Sequence, residues 1–429
     1  MITSPAQATA RPERTPWIAL GALIAVAVIA RGIGLSGGLW IDEIYSLVHS
    51  FRAPLGSILT EFWGDNHHPL YAVLAHASRS LFGESAWSVR LPALLFGVAT
   101  VPALFVLARR LVSQREALLA TALLALSYHH VWFSQNARGY SAIAFFTVVL
   151  TWLALRALSE PTTRTWYTYA VVSALAAFTH LTAVLVVVGH AVALLAYLVV
   201  IDRKNPSRAT IARRAAVGFL LAAVLTLVLY AAMLPEVFDY FFNRPSKLAG
   251  VSTTRWAILE GVRVLLLGLS GGTLAAGLVA LTLGGLCVAS GLWSLWRPAR
   301  SPAFVLLLTM PILVTIVGAA LARGTMYPRF FFFAIGPTLI VVVRGTFVVA
   351  EWIARHVPWR PLANAQRLAT TGVAAIIVLS ALSLRPNYRY PKQDFEGAMR
   401  YVLDAKGPGD AVVSSGVPAD PYTRLWNLP

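Results

Sequence analysis

The sequence has little charge, few acidic residues and a single cysteine. Only 12% of its 429 residues are Asp, Glu, Lys or Arg, whereas an average soluble domain is about a quarter charged. That is too little charge to cover the surfaces of several globular domains. The lone cysteine, Cys287, excludes an intrachain disulfide framework and a cysteine-based metal site. Intrinsic disorder is excluded as well, because 58% of the residues are hydrophobic.

The sequence does contain long apolar runs and an excess of basic residues. There are 35 Lys and Arg against 18 Asp and Glu, which gives a formal net charge of +17. Such an excess can indicate nucleic-acid binding, but beside apolar runs of about 20 residues it indicates a membrane protein instead. We predict no nucleic-acid partner. The predicted transmembrane helices lie at 17–35, 88–108, 117–134, 138–157, 166–180, 182–201, 214–234, 272–296, 302–322, 328–351 and 368–384.

Basic residues recur in alternate loops of this eleven-span arrangement, which fixes its predicted orientation. By the positive-inside rule those loops and the N-terminal tail, residues 1–16, face the cytoplasm. The transmembrane domain is then 17–384, with a long first external loop at 36–87 and an external tail at 385–429. The pattern of the tail predicts a short helix after Asp394 and a strand at 411–413. The predicted fold is thus an all-α polytopic membrane protein with a short α/β tail.

The first external loop carries the most conspicuous polar residues. Asp42 and Glu43 are adjacent and follow the first span directly. A charged residue at bilayer depth costs about 2.5–3.5 kcal/mol on insertion scales, so such residues often serve a function; alternatively, the pair only ends the helix in water. His67 and His68 precede Pro69 and could bind a divalent metal ion, or form hydrogen bonds to a substrate or to the protein.

Several cations lie in predicted external loops, where the positive-inside rule disfavours them. They are Arg138, Arg244, Lys247 and Arg329. Each could pair with an external carboxylate, or bind a lipid phosphate, for which the arginine fork is well suited. For the group as a whole we favour a phosphate site.

A series of motifs, in order along the membrane region, resembles a known family. The motifs are Leu39-Trp40-x-Asp42-Glu43-x-Tyr45-Ser46, His68-Pro69-Leu70-Tyr71, Arg90-Leu91-Pro92-Ala93-Leu94-x-x-Gly97, Ser134-Gln135-x-Ala137-Arg138-x-Tyr140, Thr179-His180 and Tyr327-x-Arg329-Phe330. Together they resemble the polyprenyl-phosphate-sugar-dependent glycosyltransferases of the GT-C fold. Within that group they resemble the bacterial branch that is similar to glycosyltransferase family 39, which is related to protein O-mannosyltransferases and lipid A aminoarabinose transferases.

The resemblance implies an inverting sugar transfer from a polyprenyl monophosphate to a glycan, lipid or protein acceptor, outside the bacterial cytoplasmic membrane. It implies Asp42 as the base and Glu43 as a residue that orients the acceptor or helps to hold a metal. No nucleotide cofactor is implied, and a divalent metal could take part, without assigned ligands. The implied substrate-binding residues are Arg138, Tyr140, Arg329, Tyr327, His67, His68, Arg244 and Lys247.

A transporter or flippase of lipid-linked sugars is the alternative function. Transporters usually have internal repeats and polar residues at broken helices in mid-membrane. Here the polar residues gather at one end of the spans. This distribution favours catalysis at the membrane surface.

Overall fold

The computed structural model describes residues 15–243, 254–265, 274–321, 327–357, 364–390, 392–413 and 425, and within them the regular structure is entirely helical, as predicted for the transmembrane domain. The first part contains α1 (Thr15–Gly32), α2 (Ile41–Ser46), α3 (Leu55–Thr60), α4 (Pro69–Phe82), α5 (Ala86–Ala108), α6 (Gln114–Ala125), α7 (Tyr128–Ser134), α8 (Tyr140–Ser159), α9 (Thr163–Thr179), α10 (Ala183–Ala196), α11 (Arg208–Tyr230) and α12 (Leu234–Phe238). The remainder contains α13 (Thr254–Leu265), α14 (Leu274–Trp296), α15 (Pro302–Leu321), α16 (Ile335–His356), α17 (Ala365–Arg389) and α18 (Phe395–Ala405). Short π-helical segments at Leu47–Phe51, Tyr197–Ile201 and Asp239–Asn243 follow α2, α10 and α12, and a 3-10 helix at Pro328–Ala334 leads into α16.

The helices agree with a multi-span membrane protein. In the described part of the chain, nine helices are long and apolar enough to cross a membrane, and the pair α6–α7, bent by 54°, makes a tenth if it counts as one span. The predicted span at 166–180 corresponds to α9, which has 17 residues and is shorter than the other candidates. The count of eleven stays a prediction. Large apolar side chains on α11 and α14, such as Leu220 and Leu283, are exposed, as expected for surfaces that face lipid.

The break between α6 and α7 is stabilised by an arginine of α1. Arg31 is fully buried, and its guanidinium donates hydrogen bonds to the carbonyl oxygens of Ala125 at 2.9 Å and Leu124 at 3.4 Å. It also contacts His130 Nδ1 at 2.7 Å and Ser134 Oγ at 3.3 Å. Carbonyls freed by a helix break need a partner at membrane depth, because lipid offers none. The Arg31 side chain therefore allows α7 to turn away and carry the following loop.

The predicted strand of the tail is not formed. Residues 411–413 have neither helical nor strand structure, and Val413 is 89% exposed. A strand needs a neighbour for its backbone hydrogen bonds, and the described residues contain no strand. The predicted tail helix is present as α18, begun by the Asp394 side chain, which accepts a hydrogen bond from the Gly397 N–H at 3.1 Å.

Two glycines bring α14 and α16 into backbone contact. A Cβ atom at Gly345 would overlap the carbonyl oxygen of Cys287, and one at Gly291 would overlap that of Val341. Small residues at a helix contact are typical of membrane helix pairs, because close backbones maximise van der Waals packing.

We expect Gly345→Ala to destabilise the bundle by about 1–3 kcal/mol or more, because the methyl group has no space and the two helices must separate. The melting temperature of the purified protein in detergent measures this loss. Gly284→Ala is the matched control, since no described atom outside its own stretch of helix lies within 4 Å of the added Cβ and alanine favours a helix over glycine by about 0.5–1 kcal/mol. Equal melting temperatures for Gly345→Ala and the unsubstituted protein would contradict the prediction.

Candidate active site

The adjacent acidic residues Asp42 and Glu43 stand in the first turn of α2 but have different surroundings. The turn is closed by Glu43, whose Oε2 accepts a hydrogen bond from the Trp40 N–H at 3.2 Å, as in a capping box. The Glu43 side chain is fully buried, whereas that of Asp42 is 18% exposed. Of the two adjacent carboxylates, Asp42 is therefore the one that a substrate can reach.

Glu43 is held by a buried arginine of α5. Arg90 donates from Nη2 to Glu43 Oε2 at 2.6 Å and from Nε to Oε1 at 2.8 Å, and the Ala137 N–H donates to Oε1 at 2.6 Å. Burial alone would raise the pKa of the Glu43 carboxyl, but Arg90, together with Lys392 and the Ala137 N–H, lowers the pKa below its usual value. Arg90 also donates to the carbonyl oxygens of Leu35, Gly37 and Gly38. This geometry favours a positioning role for Glu43, because both of its oxygens already accept hydrogen bonds.

Asp42 lies between two arginines that are far from it in the sequence. Arg138 Nη1 donates to Asp42 Oδ2, and Arg329 Nη1 lies 3.7 Å from the same oxygen. The other terminal nitrogen of Arg138 donates to Asn66 Oδ1 at 2.7 Å. One carboxylate and two guanidinium groups thus meet where α2, the α7–α8 turn and the start of the 3-10 helix come together.

The two predicted tyrosines support these arginines. The guanidinium carbon of Arg138 lies 5.1 Å from the centre of the Tyr140 ring, and that of Arg329 lies 4.5 Å from the centre of the Tyr327 ring. Contacts of this kind add cation–π attraction and restrict each side chain. The structure therefore brings together five predicted site residues: Asp42, Arg138, Tyr140, Arg329 and Tyr327.

The two predicted histidines occupy separate environments. His67 packs beside the rings of Phe62 and Trp63, with ring centres 5.9 Å and 5.8 Å away, and burial lowers its pKa to about 4. His68 packs against His180, with ring centres 4.4 Å apart, and burial lowers its pKa well below the usual value. Both imidazoles are neutral near pH 7. The two remaining predicted residues, Arg244 and Lys247, lie outside the described residues.

The described part of the chain does not fit a metal site. It holds no group of three or more His, Cys, Asp or Glu side chains placed to bind an ion. Asp42, the accessible carboxylate, is paired with Arg138. We therefore assign no step to a metal.

Lys392 and Gln393 also belong to this site, although neither was among the predicted site residues. Lys392 Nζ donates to the Gln135 carbonyl oxygen at 2.6 Å and lies 4.8 Å from the Trp132 ring, and Gln393 Oε1 accepts a hydrogen bond from the Ile41 N–H at 3.0 Å. The segment after α17 thus fastens both the α7–α8 turn and the start of α2. The only sequence signal was one more cation in a predicted external segment.

Arg90 and His180 were parts of recognised motifs without an assigned role. The sequence feature that could have predicted a role for Arg90 is its position as a charged residue beside an apolar run. For His180 it was a polar residue between two apolar helices.

Comparison with solved structures identifies the fold. ArnT from Cupriavidus metallidurans bound to undecaprenyl phosphate superposes with a TM-score of 0.56 at 12% identity, over 88% of this chain and 79% of that one. The apo oligosaccharyltransferase from Archaeoglobus fulgidus gives 0.55 at 13% identity, over 93% of this chain and 59% of that one. Arabinosyltransferase EmbB from Mycobacterium smegmatis gives 0.50 at 16% identity, over 95% of this chain and 44% of that one.

The chain has the GT-C fold. Residues 66–243 also match the family model described as dolichyl-phosphate-mannose-protein mannosyltransferase, so the resemblance predicted from the motifs is confirmed. No curated protein matches the chain by sequence.

Proposed function

We propose that the protein is an inverting glycosyltransferase that moves a sugar from a polyprenyl monophosphate to an acceptor hydroxyl at the outer face of the bacterial cytoplasmic membrane. The observation that carries the proposal is the accessible carboxylate of Asp42, held beside the guanidinium groups of Arg138 and Arg329. ArnT, which shares the fold, is bound to undecaprenyl phosphate, and a phosphate is the kind of group that paired arginines bind well.

The chemistry needs one base and a stabilised leaving group. In the proposed reaction the Asp42 carboxylate takes the proton of the acceptor hydroxyl as its oxygen attacks the anomeric carbon of the sugar. The bond from that carbon to the phosphate oxygen breaks, and its electron pair stays on the departing polyprenyl phosphate. Arg138 and Arg329 stabilise the charge that develops there. Attack from the face opposite the phosphate inverts the anomeric centre.

The remaining groups hold this arrangement in place. Glu43 and Arg90 position the first turn of α2, Gln393 accepts a hydrogen bond from its Ile41 N–H, and Lys392 fastens the α7–α8 turn. The outer-face location rests on the alternation of basic loops, because the site lies at the ends of spans opposite those loops. A glycan, lipid or protein acceptor would approach from the aqueous side.

Identifying the accumulated donor tests this function directly. In a strain that lacks the gene, mass spectrometry of the lipid fraction should find a polyprenyl monophosphate sugar that builds up, because the step that consumes it is missing. Purified protein in lipid vesicles should then consume the same lipid and release polyprenyl phosphate. A lipid pool identical to that of the parent strain, together with no consumption in vesicles, would refute the proposal.

We expect Arg138→Ala to raise the KM for the lipid donor and to lower kcat, because it removes a guanidinium group from the leaving phosphate. Loss of one such donor typically costs about 10²–10³-fold in kcat. Steady-state kinetics with donor and acceptor varied separately measure the effect. Arg79→Ala is the control, because this arginine lies on α4 and, among the described residues, pairs only with the exposed Glu84. Equal increases in KM for donor and acceptor would contradict a phosphate role.

A further inference from the structure

His68 and His180 form a buried pair beside the arginines. His68 stands at the start of α4, and His180 lies between α9 and α10. Both are largely buried, with 4% and 6% of their surface exposed. The Tyr140 ring, which contacts Arg138, lies 5.0 Å from His180 and 5.9 Å from His68. The two imidazoles and the Arg138 guanidinium therefore surround one aromatic ring.

The backbone determines which nitrogen of each ring carries the hydrogen. The Gly139 N–H donates to His68 Nδ1 at 2.9 Å, and the Thr182 N–H donates to His180 Nδ1 at 3.2 Å. A backbone N–H can only donate, so each Nδ1 must present its lone pair, and in a neutral imidazole the hydrogen is then on Nε2. A Cβ atom at Gly139 would lie 3.3 Å from His68 Nδ1 and 2.9 Å from the Thr179 carbonyl oxygen, so a glycine is needed for this approach.

The Nε2 atoms of both rings are buried and have no hydrogen-bond partner among the described residues. The same holds for the Nε atoms of Arg138 and Arg329. All four are N–H donors. A buried donor without a partner costs about 1–3 kcal/mol, so a cluster of four calls for a ligand that offers several acceptors and no donor.

A phosphate matches this set better than a metal ion does. Each phosphate oxygen accepts several hydrogen bonds, and its charge suits the two guanidinium groups. A histidine that binds a metal normally donates its other ring N–H to a carboxylate, carbonyl or water. Here the other ring nitrogen accepts a hydrogen bond instead, which leaves Nε2 without a lone pair for an ion. Because burial also lowers the pKa of His68, its ring adds a donor without adding charge near pH 7.

We propose that His68 and His180 bind a phosphate oxygen of the lipid donor through their Nε2–H groups, beside Arg138 and Arg329. The inference rests on the proposed function. It adds His180 to the site that binds the lipid-linked sugar donor, and it assigns the Nε2–H tautomer to both histidines. It assigns the pair to recognition of the phosphate rather than to a metal or to proton transfer.

Substitution of each histidine by glutamine and by asparagine distinguishes the contribution of Nε2 from that of Nδ1. A glutamine amide reaches the position of Nε2 and retains a donor toward the ligand, whereas an asparagine amide reaches only that of Nδ1. The affinities of His180→Gln, His180→Asn, His68→Gln and His68→Asn for undecaprenyl phosphate are measured on the full-length protein in detergent. Undecaprenol and inorganic phosphate serve as probes that carry only the lipid or only the anion.

We expect both asparagine variants to bind undecaprenyl phosphate about ten- to a hundred-fold more weakly, as for loss of a hydrogen bond to a charged group. The glutamine variants should stay within a few-fold of the unsubstituted protein, and affinity for undecaprenol should not change. Inorganic phosphate should compete only weakly, because it lacks the lipid. Melting temperatures of the asparagine variants should remain close to that of the unsubstituted protein.

Two results would overturn the inference. Asparagine variants that bind normally while the glutamine variants bind weakly would give the rings a purely structural role through Nδ1. Zn²⁺ binding that is lost in the His180 variants would replace the phosphate with a metal. Failure of the proposed function is a distinct result, in which the unsubstituted protein binds undecaprenyl phosphate no better than undecaprenol.

Discussion

Replacement of Asp42 by asparagine is expected to reduce sugar transfer about 10²–10⁴-fold, the usual contribution of a general base. The amide has nearly the same shape as the carboxylate and still accepts a hydrogen bond from Arg138, but it cannot take a proton from the acceptor. Affinity for undecaprenyl phosphate and the melting temperature should therefore change little. Transfer of sugar from a polyprenyl-phosphate donor in lipid vesicles measures the rate.

Glu61→Gln is the matched control, because it removes a carboxylate from the same loop at an exposed position, whereas the ion pairs of Arg138 and Arg329 are with Asp42. Its transfer rate should equal that of the unsubstituted protein. Near-normal transfer by Asp42→Asn would remove Asp42 from the role of base. A large drop in melting temperature would instead assign it a structural role.

Glu43→Gln is expected to lower the free energy of unfolding by about 3–5 kcal/mol, because it leaves the Arg90 guanidinium buried without its counter-charge. The side chains of this pair are 0% and 2% exposed, so water cannot replace the lost partner. Activity should fall together with stability, since Glu43 also receives the Ala137 N–H and holds the α7–α8 turn against α2. Melting temperature and denaturant titration in detergent measure the change.

The exposed ion pair between Arg52 and Glu84 provides the comparison for this buried pair. Their side chains are 31% and 36% exposed, and exposed pairs contribute about 0–1 kcal/mol. Glu84→Gln should therefore leave the melting temperature nearly unchanged. An inactive Glu43→Gln variant with the melting temperature of the unsubstituted protein would indicate direct participation in catalysis, as the family resemblance implied.

Hydropathy predicted most of the fold because the cost of an unpaired backbone group in lipid is a local property of each segment. The predicted spans at 88–108 and 302–322 correspond to α5 and α15 within a few residues. The hydropathy pattern gave wrong predictions where the local structure depends on residues that are distant in the sequence. The apolar triplet at 411–413 forms no strand, and the predicted span at 117–134 is divided by a bend that Arg31 stabilises from another helix.

The candidate site was predictable to a similar degree. Asp42, Arg138 and Arg329 could be predicted as site residues because charged side chains at the ends of apolar helices cost free energy and often serve a function. The structure places the three side chains in contact. The division of labour between Asp42 and Glu43 was not predictable. Adjacent residues on a short helix point in different directions, and only the position of Arg90 decides which carboxylate is buried.

The sequence by itself determined that this chain is a helical membrane protein with a cluster of charges at one end of its spans, because burial of the backbone in lipid and the alternation of basic loops depend on residues close together in the chain. The tertiary structure alone decided which charges meet and which ring nitrogens carry hydrogen. Those outcomes depend on hydrogen bonds and ion pairs between residues tens to hundreds of positions apart, such as Asp42 with Arg138 and Arg329, or Gly139 with His68, and no local pattern encodes them.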